Sequence, residues 1–156
     1  MNLLKTLQEV YEGEQNRYGE IEYKLSEKER MHRIDLIVDY LKSNKKMDSK
    51  ESKKLSAVIY WGLHDTYSMV EYFLKAFIPL FKIPAVRNGF AQRFEQSLTL
   101  DARITYASNT LRDIQNFGLE TKHWVSMAIE ESNSWSLKDK EKEEYKNFME
   151  TLLRID

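Results

Sequence analysis

The stretch LSAVIYWGLHDTYSMVEYFLKAFIP, residues 55–79, decides the fold. Leu55, Val58, Ile59, Gly62, Leu63, Val70 and Leu74 recur three and four residues apart, the spacing that places side chains on one face of a helix. Asp48 followed by Glu51 is a capping box that opens such a helix, and Pro79 with Pro84 brackets a break after it. One helix is predicted to run through this stretch toward Pro79, with His64 and Asp65 in its middle.

Upstream, Leu3, Leu4, Leu7, Val10 and Tyr11 form the stripe of a first helix, which the polar run 13–17 ends or bends. Ser26 with Glu29 is a second capping box, and it opens a helix whose Ile34, Ile37, Val38 and Leu41 face the core before it stops near 43–46. Downstream, a fourth helix is predicted over roughly 86–117, kinked near Gly89 or Thr99-Leu100 and closed by Gly118. A fifth covers about 120–132. A sixth is capped by Ser136 with Asp139 and carries the stripe Tyr145, Phe148, Met149 and Leu152. Only five Gly and two Pro interrupt the chain, so the expected class is an all-α bundle of about six helices, folded as a single domain over 1–156.

Charge and composition narrow the function classes. Twenty-four Lys and Arg against twenty-five Asp and Glu leave no net field to hold a nucleic acid polymer or an anionic membrane. The absence of cysteine excludes disulfides, zinc-thiolate sites and iron-sulfur clusters. The apolar-rich stretch 69–81 carries Glu71 and Lys75 and is shorter than the ~20 residues needed to span a bilayer. MNLLKTLQEV lacks the long apolar core of a signal peptide, so a cytoplasmic location is expected. Tyr60, Trp61, Tyr72, Phe73, Phe77 and Phe81 are expected to build core or a subunit interface, which leaves room for a homo-oligomer.

His32, His64, Asp65 and Asp101 are the chemistry-bearing set. A metal that activates water for attack on phosphorus needs a few imidazole and carboxylate ligands, with positions left for water and a phosphate oxygen. Helices two and three packed side by side bring His32 to His64-Asp65, and Asp101 on helix four closes the set; Asp113 is the fallback ligand. One divalent metal ion is expected, and imidazole with carboxylate suits Mn²⁺, Co²⁺, Ni²⁺, Fe²⁺, Zn²⁺ or, less well, Mg²⁺. A different metal reading comes from Glu29-x-x-His32 and Glu120-x-x-His123, the spacing used by carboxylate-bridged di-iron bundles.

The order His, His-Asp, distant Asp resembles the HD-domain metal-dependent phosphohydrolases. The chain looks closest to their 5′-deoxynucleotidase branch and to the related short viral deoxynucleoside triphosphate hydrolases. Asn16-Arg17-Tyr18, with Arg17 fifteen residues before His32, is similar to that branch's Asn-Arg-aromatic element, and Asp101 to Tyr106 is similar to its final metal aspartate followed by Ala and an aromatic. The resemblance implies His32, His64, Asp65 and Asp101 as ligands, Arg17 as a phosphate contact, and Tyr18 and Tyr106 as walls of the substrate pocket. Where the branch carries a proton-transferring Glu this chain has Ser68, so Glu71, two turns below His64 on the same predicted face, is the candidate acid beside Asp65. Lys75, Lys82, Arg87 and Arg93 are further candidate phosphate contacts around the break at 79–89.

The function expected is metal-dependent hydrolysis of a deoxynucleotide, either the 5′-monophosphate (deoxynucleotidase) or the triphosphate (triphosphohydrolase). Two alternatives stand beside it: a catalytically lapsed HD-fold module that binds a nucleotide or a protein without hydrolysis, and a plain helical interaction protein.

Overall fold

Both capping boxes form, and they set the two longest helices of the N-terminal half. Ser26 Oγ accepts from the Glu29 amide at 3.2 Å while Glu29 Oε1 accepts from the Ser26 amide at 3.3 Å, which opens α2 (Glu27–Lys42). Asp48 and Glu51 exchange the same bonds at 2.8 and 2.9 Å and open α3 (Ser49–Gly62). The structure, a computed structural model, describes residues 1–95, 99–133 and 138–153. Among the described residues there are eight α-helices and one two-stranded antiparallel hairpin, so the chain is all-α in class. They fall into two compact units, Met1–Phe77 and Ile78–Asp156. No helix among the described residues is long and apolar enough to cross a membrane.

In the first unit α1 (Leu3–Val10) packs on α2 and α3, and α4 (Tyr67–Phe77) packs on α2. Leu3, Leu7, Ile34, Ile37, Leu55 and Ile59, all from the predicted stripes, are among its enclosed apolar side chains, and Phe73 and Phe77 join them in the core. Between α1 and α2 the polar run does not form a simple loop. It pairs as β1 (Gly13–Gln15) and β2 (Ile21–Tyr23), in register Gly13↔Tyr23, Glu14↔Glu22 and Gln15↔Ile21. The loop that joins them is made by Asn16-Arg17-Tyr18-Gly19-Glu20. The Asn16 carbonyl accepts from the Gly19 amide at 3.1 Å, and Gly19 sits at φ +80, a backbone conformation that glycine adopts without steric cost.

The predicted third helix is in fact two. Trp61 O accepts from the His64 amide at 3.0 Å in a tightened last turn, and the Asp65 carboxylate takes the Thr66 amide at 2.7 Å. Thr66 O then accepts from Val70 N at 2.9 Å and the helix restarts as α4. Asp and Thr offer the backbone side-chain oxygens that compete with helical bonds. The interruption, 63–66, is close to one helical turn, so the apolar period stays in phase across it. His64 and Asp65 therefore lie in a turn between helices and not in mid-helix.

The second unit holds a 3-10 turn (Ile78–Leu80), α5 (Pro84–Glu95), α6 (Leu100–Asn116), α7 (Lys122–Ser132) and α8 (Asp139–Leu153). α7 touches every other element of this unit. Its Trp124 is fully buried, with the rings of Phe90 and Phe81 at 5.9 and 6.3 Å. The predicted fourth helix also divides. Thr99 caps α6 by accepting from the Ala102 amide at 3.2 Å, while 96–98 lie outside the described residues. Gly118, at φ +71, follows the end of α6. Tyr145 and Met149 are buried as expected, whereas Phe148 of the same stripe is exposed. The predicted cap Ser136 lies outside the described residues, as does the side chain of Leu152.

Two substitutions test this packing. A Cβ on Gly62 would stand 2.4 to 2.5 Å from three ring carbons of the buried Phe73. Gly62→Ala should thus lower the urea midpoint by an amount equivalent to about 1–3 kcal/mol. Tyr72 donates to Asp35, tying α4 to α2. Burial, then that hydrogen bond and the nearby charge, push its phenol up to about 12 from 10.0. The fold therefore favours neutral Tyr72, a contribution fully present below pH 10.0 and lost as pH rises through about 12. Urea midpoints measured across that window should fall less in Tyr72→Phe than in the parent chain.

Candidate functional site

Arg30 lies on the apolar stripe of α2, four residues before Ile34, and is 3% exposed. A cation in that position needs a partner, and Asp65 supplies it: Arg30 Nη1 donates to Asp65 Oδ2 at 2.8 Å, with the two side chains 4% and 6% exposed. Tyr11, just past α1, donates its hydroxyl to the same oxygen at 2.9 Å. Burial and then the Asp65 charge push the Tyr11 phenol far up, so it stays a neutral donor. The guanidinium also lies 4.5 Å from the ring centre of Tyr23 in β2 and 5.6 Å from that of Tyr11. One ion pair thereby joins α1, α2, β2 and the turn between α3 and α4.

Beside this pair the first unit opens a cleft of about 570 Å³, within the size range of small-molecule sites. One wall is α3, whose Lys54, Ala57, Val58 and Trp61 share a face by their three- and four-residue spacing. The other is the hairpin, where alternation puts Ile21 and Tyr23 on one face and leaves Glu14 and Glu22 on the opposite one. Tyr11, His64, Asp65 and Thr66 complete the lining. Trp61 is 58% exposed and Ile21 56%, so these apolar groups face the open cleft and not the core. His64 Nδ1 lies 2.9 Å from the Tyr60 carbonyl. A carbonyl only accepts, so in the neutral ring Nδ1 carries the hydrogen and Nε2 keeps its lone pair.

At the rim, Glu27 receives the hydroxyls of Thr66 at 2.6 Å and Ser68 at 3.0 Å. Those two bonds, in that order, hold its carboxyl below the usual range. A carboxylate therefore does stand beside Ser68, supplied by α2 and not by residue 71. Glu71 is paired instead with Lys75 at 3.1 Å, one turn along α4.

The remaining expected residues are placed as follows. His32 is exposed on α2. Asp101 is exposed in the first turn of α6, in the second unit, where Asp113, Tyr106 and Lys82 also belong. Among the described residues, no group of three or more His, Asp or Glu side chains is arranged to hold one metal ion. Both carboxylate oxygens of Asp65 accept hydrogen bonds, Oδ2 from Tyr11 and Arg30 and Oδ1 from the Thr66 amide. Arg17 and Tyr18 sit at the exposed hairpin tip, where Arg17 Nη2 donates to Tyr18 Oη at 2.8 Å. Asn16 serves that turn directly, its Oδ1 accepting from the amides of Tyr18 and Glu20 at 2.9 and 3.0 Å. Arg87 is bonded to Glu130 and Glu131 at 3.3 and 3.1 Å, and the side chain of Arg93 lies outside the described residues. Glu29 is engaged in its capping box, while Glu120 and His123 belong to the second unit.

Sequence reasoning missed Arg30, Tyr11, Tyr23 and Lys54, and it assigned Trp61 to core or interface. The signal for Arg30 was present, a charge in register with Ile34, Ile37 and Leu41. Compared with known proteins, the chain matches no family model, no curated protein and no solved structure.

A double-mutant cycle separates the structural role of Asp65 from a ligand role. Asp65→Ala leaves Arg30 buried and unpaired and should cost about 3–5 kcal/mol in urea unfolding, whereas Arg30→Met with Asp65→Leu should recover most of that loss. An aspartate that served only to hold a metal would lose no stability in the metal-free protein.

Proposed function

We propose that the chain is a nucleotide-binding module, with its ligand in the cleft between α3 and the hairpin. The observation that carries this reading is the lining: the aromatic side chains Tyr11, Tyr23 and Trp61 meet His64 at one end and Lys54 at another position along the same wall. Aromatic faces stack on any base, and base–aromatic stacking is worth about 1–3 kcal/mol. An ammonium is a point charge suited to phosphate. Lys54 and Trp61 are seven residues apart on α3, two turns or about 11 Å along the wall at 1.5 Å per residue, a span on the scale of a nucleoside monophosphate. Asp65, engaged by Arg30 and Tyr11, serves in this reading as the partner of the buried cation behind the cleft.

Metal-dependent hydrolysis of a deoxynucleotide is the second reading, and one observation favours it. The anionic carboxylate of Glu27 is bonded to Ser68, the position at which the HD-type resemblance expects an acid.

Trp61 fluorescence, isolated by difference against Trp61→Phe, should change saturably with deoxynucleoside mono- or triphosphates in the absence of metal. Dissociation constants in the range of about 10–100 µM are expected, weakened roughly tenfold by Lys54→Ala. No phosphate should be released. Absence of saturable binding by any nucleotide overturns the binding reading. Phosphate release that requires Mn²⁺ or Co²⁺ and vanishes in Asp65→Asn replaces it with the hydrolase.

A further inference from the structure

The polar groups at the His64 end of the cleft have already donated their hydrogens elsewhere. The Tyr11 hydroxyl points its proton at Asp65, at 2.9 Å. The Thr66 hydroxyl gives its proton to Glu27, at 2.6 Å, since a carboxylate can only accept. His64 gives Nδ1–H to the Tyr60 carbonyl at 2.9 Å and has no hydrogen bond at Nε2 among the described residues. Asp65 is enclosed, its carboxylate oxygens taken by Arg30, Tyr11 and the Thr66 amide. What faces the ligand at this end is thus an oxygen of Tyr11, an oxygen of Thr66 and an imidazole nitrogen, all of them acceptors. The donors lie apart: Lys54, at the start of the α3 wall, and the Trp61 indole and Tyr23 hydroxyl on the walls themselves.

A cleft end made of acceptors discriminates by what it leaves unpaired. A base edge that brings N–H groups satisfies them, whereas one that brings ring nitrogens or carbonyls sets lone pair against lone pair and loses its water on the way in. Resting on the nucleotide reading, we propose that the cleft selects its base by adjacent N–H donors, which makes the ligand a guanine-type nucleotide. Its N1–H and 2-amino group are directed at His64 Nε2 and its neighbouring acceptors, and its phosphate at Lys54. Among the natural bases, guanine carries two such groups side by side on the edge of one ring. His64 is then a specificity-determining residue whose tautomer is fixed by a backbone carbonyl one helical turn behind it. Asp65 and Glu27 are positioning residues, because they fix which way the hydroxyl hydrogens of Tyr11 and Thr66 point.

Three ligands with the same purine frame, sugar and phosphate separate donor recognition from stacking and charge. They are 2′-deoxyguanosine monophosphate, 2′-deoxyinosine monophosphate, which lacks the 2-amino group, and the purine 2′-deoxyriboside monophosphate, which has no N–H on that ring. Calorimetric titration of the full chain should show the dissociation constant rising about tenfold with each donor removed. In His64→Phe, which keeps a ring against Tyr60 and Trp61 but offers no acceptor, the series should flatten. His64 is exposed, so the urea midpoint of that variant should match the parent's. Equal affinity for the three ligands in the parent chain, or a series equally steep in His64→Phe, overturns the proposal while leaving nucleotide binding intact. Failure of all three to bind overturns the nucleotide reading beneath it and the proposal with it.

Discussion

The ion pair between Arg30 and Asp65 is the constraint on which the first unit depends. Burying two charges costs several kcal/mol per ion before their attraction offsets it, and the contacts around the Asp65 carboxylate supply much of that offset. Arg30 Nη1 and Asp65 Oδ2 are 2.8 Å apart, Tyr11 adds a second donor to the same oxygen, and the Thr66 amide fills the other. Arg30 Nε remains without a hydrogen-bond partner among the described residues, and the Tyr23 ring 4.5 Å from the guanidinium replaces part of that lost solvation. The pair does more than stabilise. It fixes the break between α3 and α4, because the carboxylate that receives Arg30 is the one that caps the Thr66 amide.

That break is what makes a cleft possible. An uninterrupted helix through 55–77 would carry residues 64–66 onward along α3, with their side chains radiating at successive 100° steps. In the turn, His64, Asp65 and Thr66 instead follow one another along the cleft lining. Gly62 sits at the same corner, where the absence of a side chain lets the Phe73 ring come within contact of the backbone. The aromatic and apolar groups in the cleft, Trp61 and Ile21 above all, are exposed because the hairpin, which has no core of its own, stands opposite α3 without closing over it.

How much of this could be read from the sequence depended on whether the signal was local. Ser26 with Glu29 and Asp48 with Glu51 each specify a helix start within four residues, and both formed. The division of residues 55–77 was hidden because the interruption spans about one turn and preserves the apolar phase. The hairpin was hidden because its strands are only three residues each and Gly13-Glu14-Gln15 carries no apolar residue, so the alternation in Ile21-Glu22-Tyr23 is too short to mark a strand. Asn16 and Gly19, three residues apart, were the legible sign of its turn. At the site, His64 and Asp65 were read as metal ligands in a helix, whereas the structure places both in a turn, Asp65 on Arg30 and Tyr11 and His64 in the cleft lining. The partner of Asp65 was not legible from spacing, because Arg30 lies thirty-five residues away and meets it only through the packing of α2.

The two walls of the cleft differ in what holds them. α3 is anchored by Leu55, Val58 and Ile59 in the core, whereas all six strand residues of the hairpin are exposed, and Glu14 stands directly across from Glu22. An isolated two-stranded hairpin is marginal in water, and like charges directly opposite weaken it further. The hairpin is held by its Asn16-Gly19 turn, by the Lys24–Glu12 contact at 2.9 Å, and by Tyr23, whose ring packs edge-on to Tyr11 at 5.5 Å and over Arg30. Tyr23 is therefore both the wall of the cleft and the hairpin's main attachment to the folded body. A ligand that stacks on it gains from a surface already ordered, since the entropy of fixing that wall has been met by Arg30 and Tyr11. Stability and recognition in this unit draw on the same guanidinium: it neutralises Asp65 on one side and, on the other, holds in place the ring that faces the ligand.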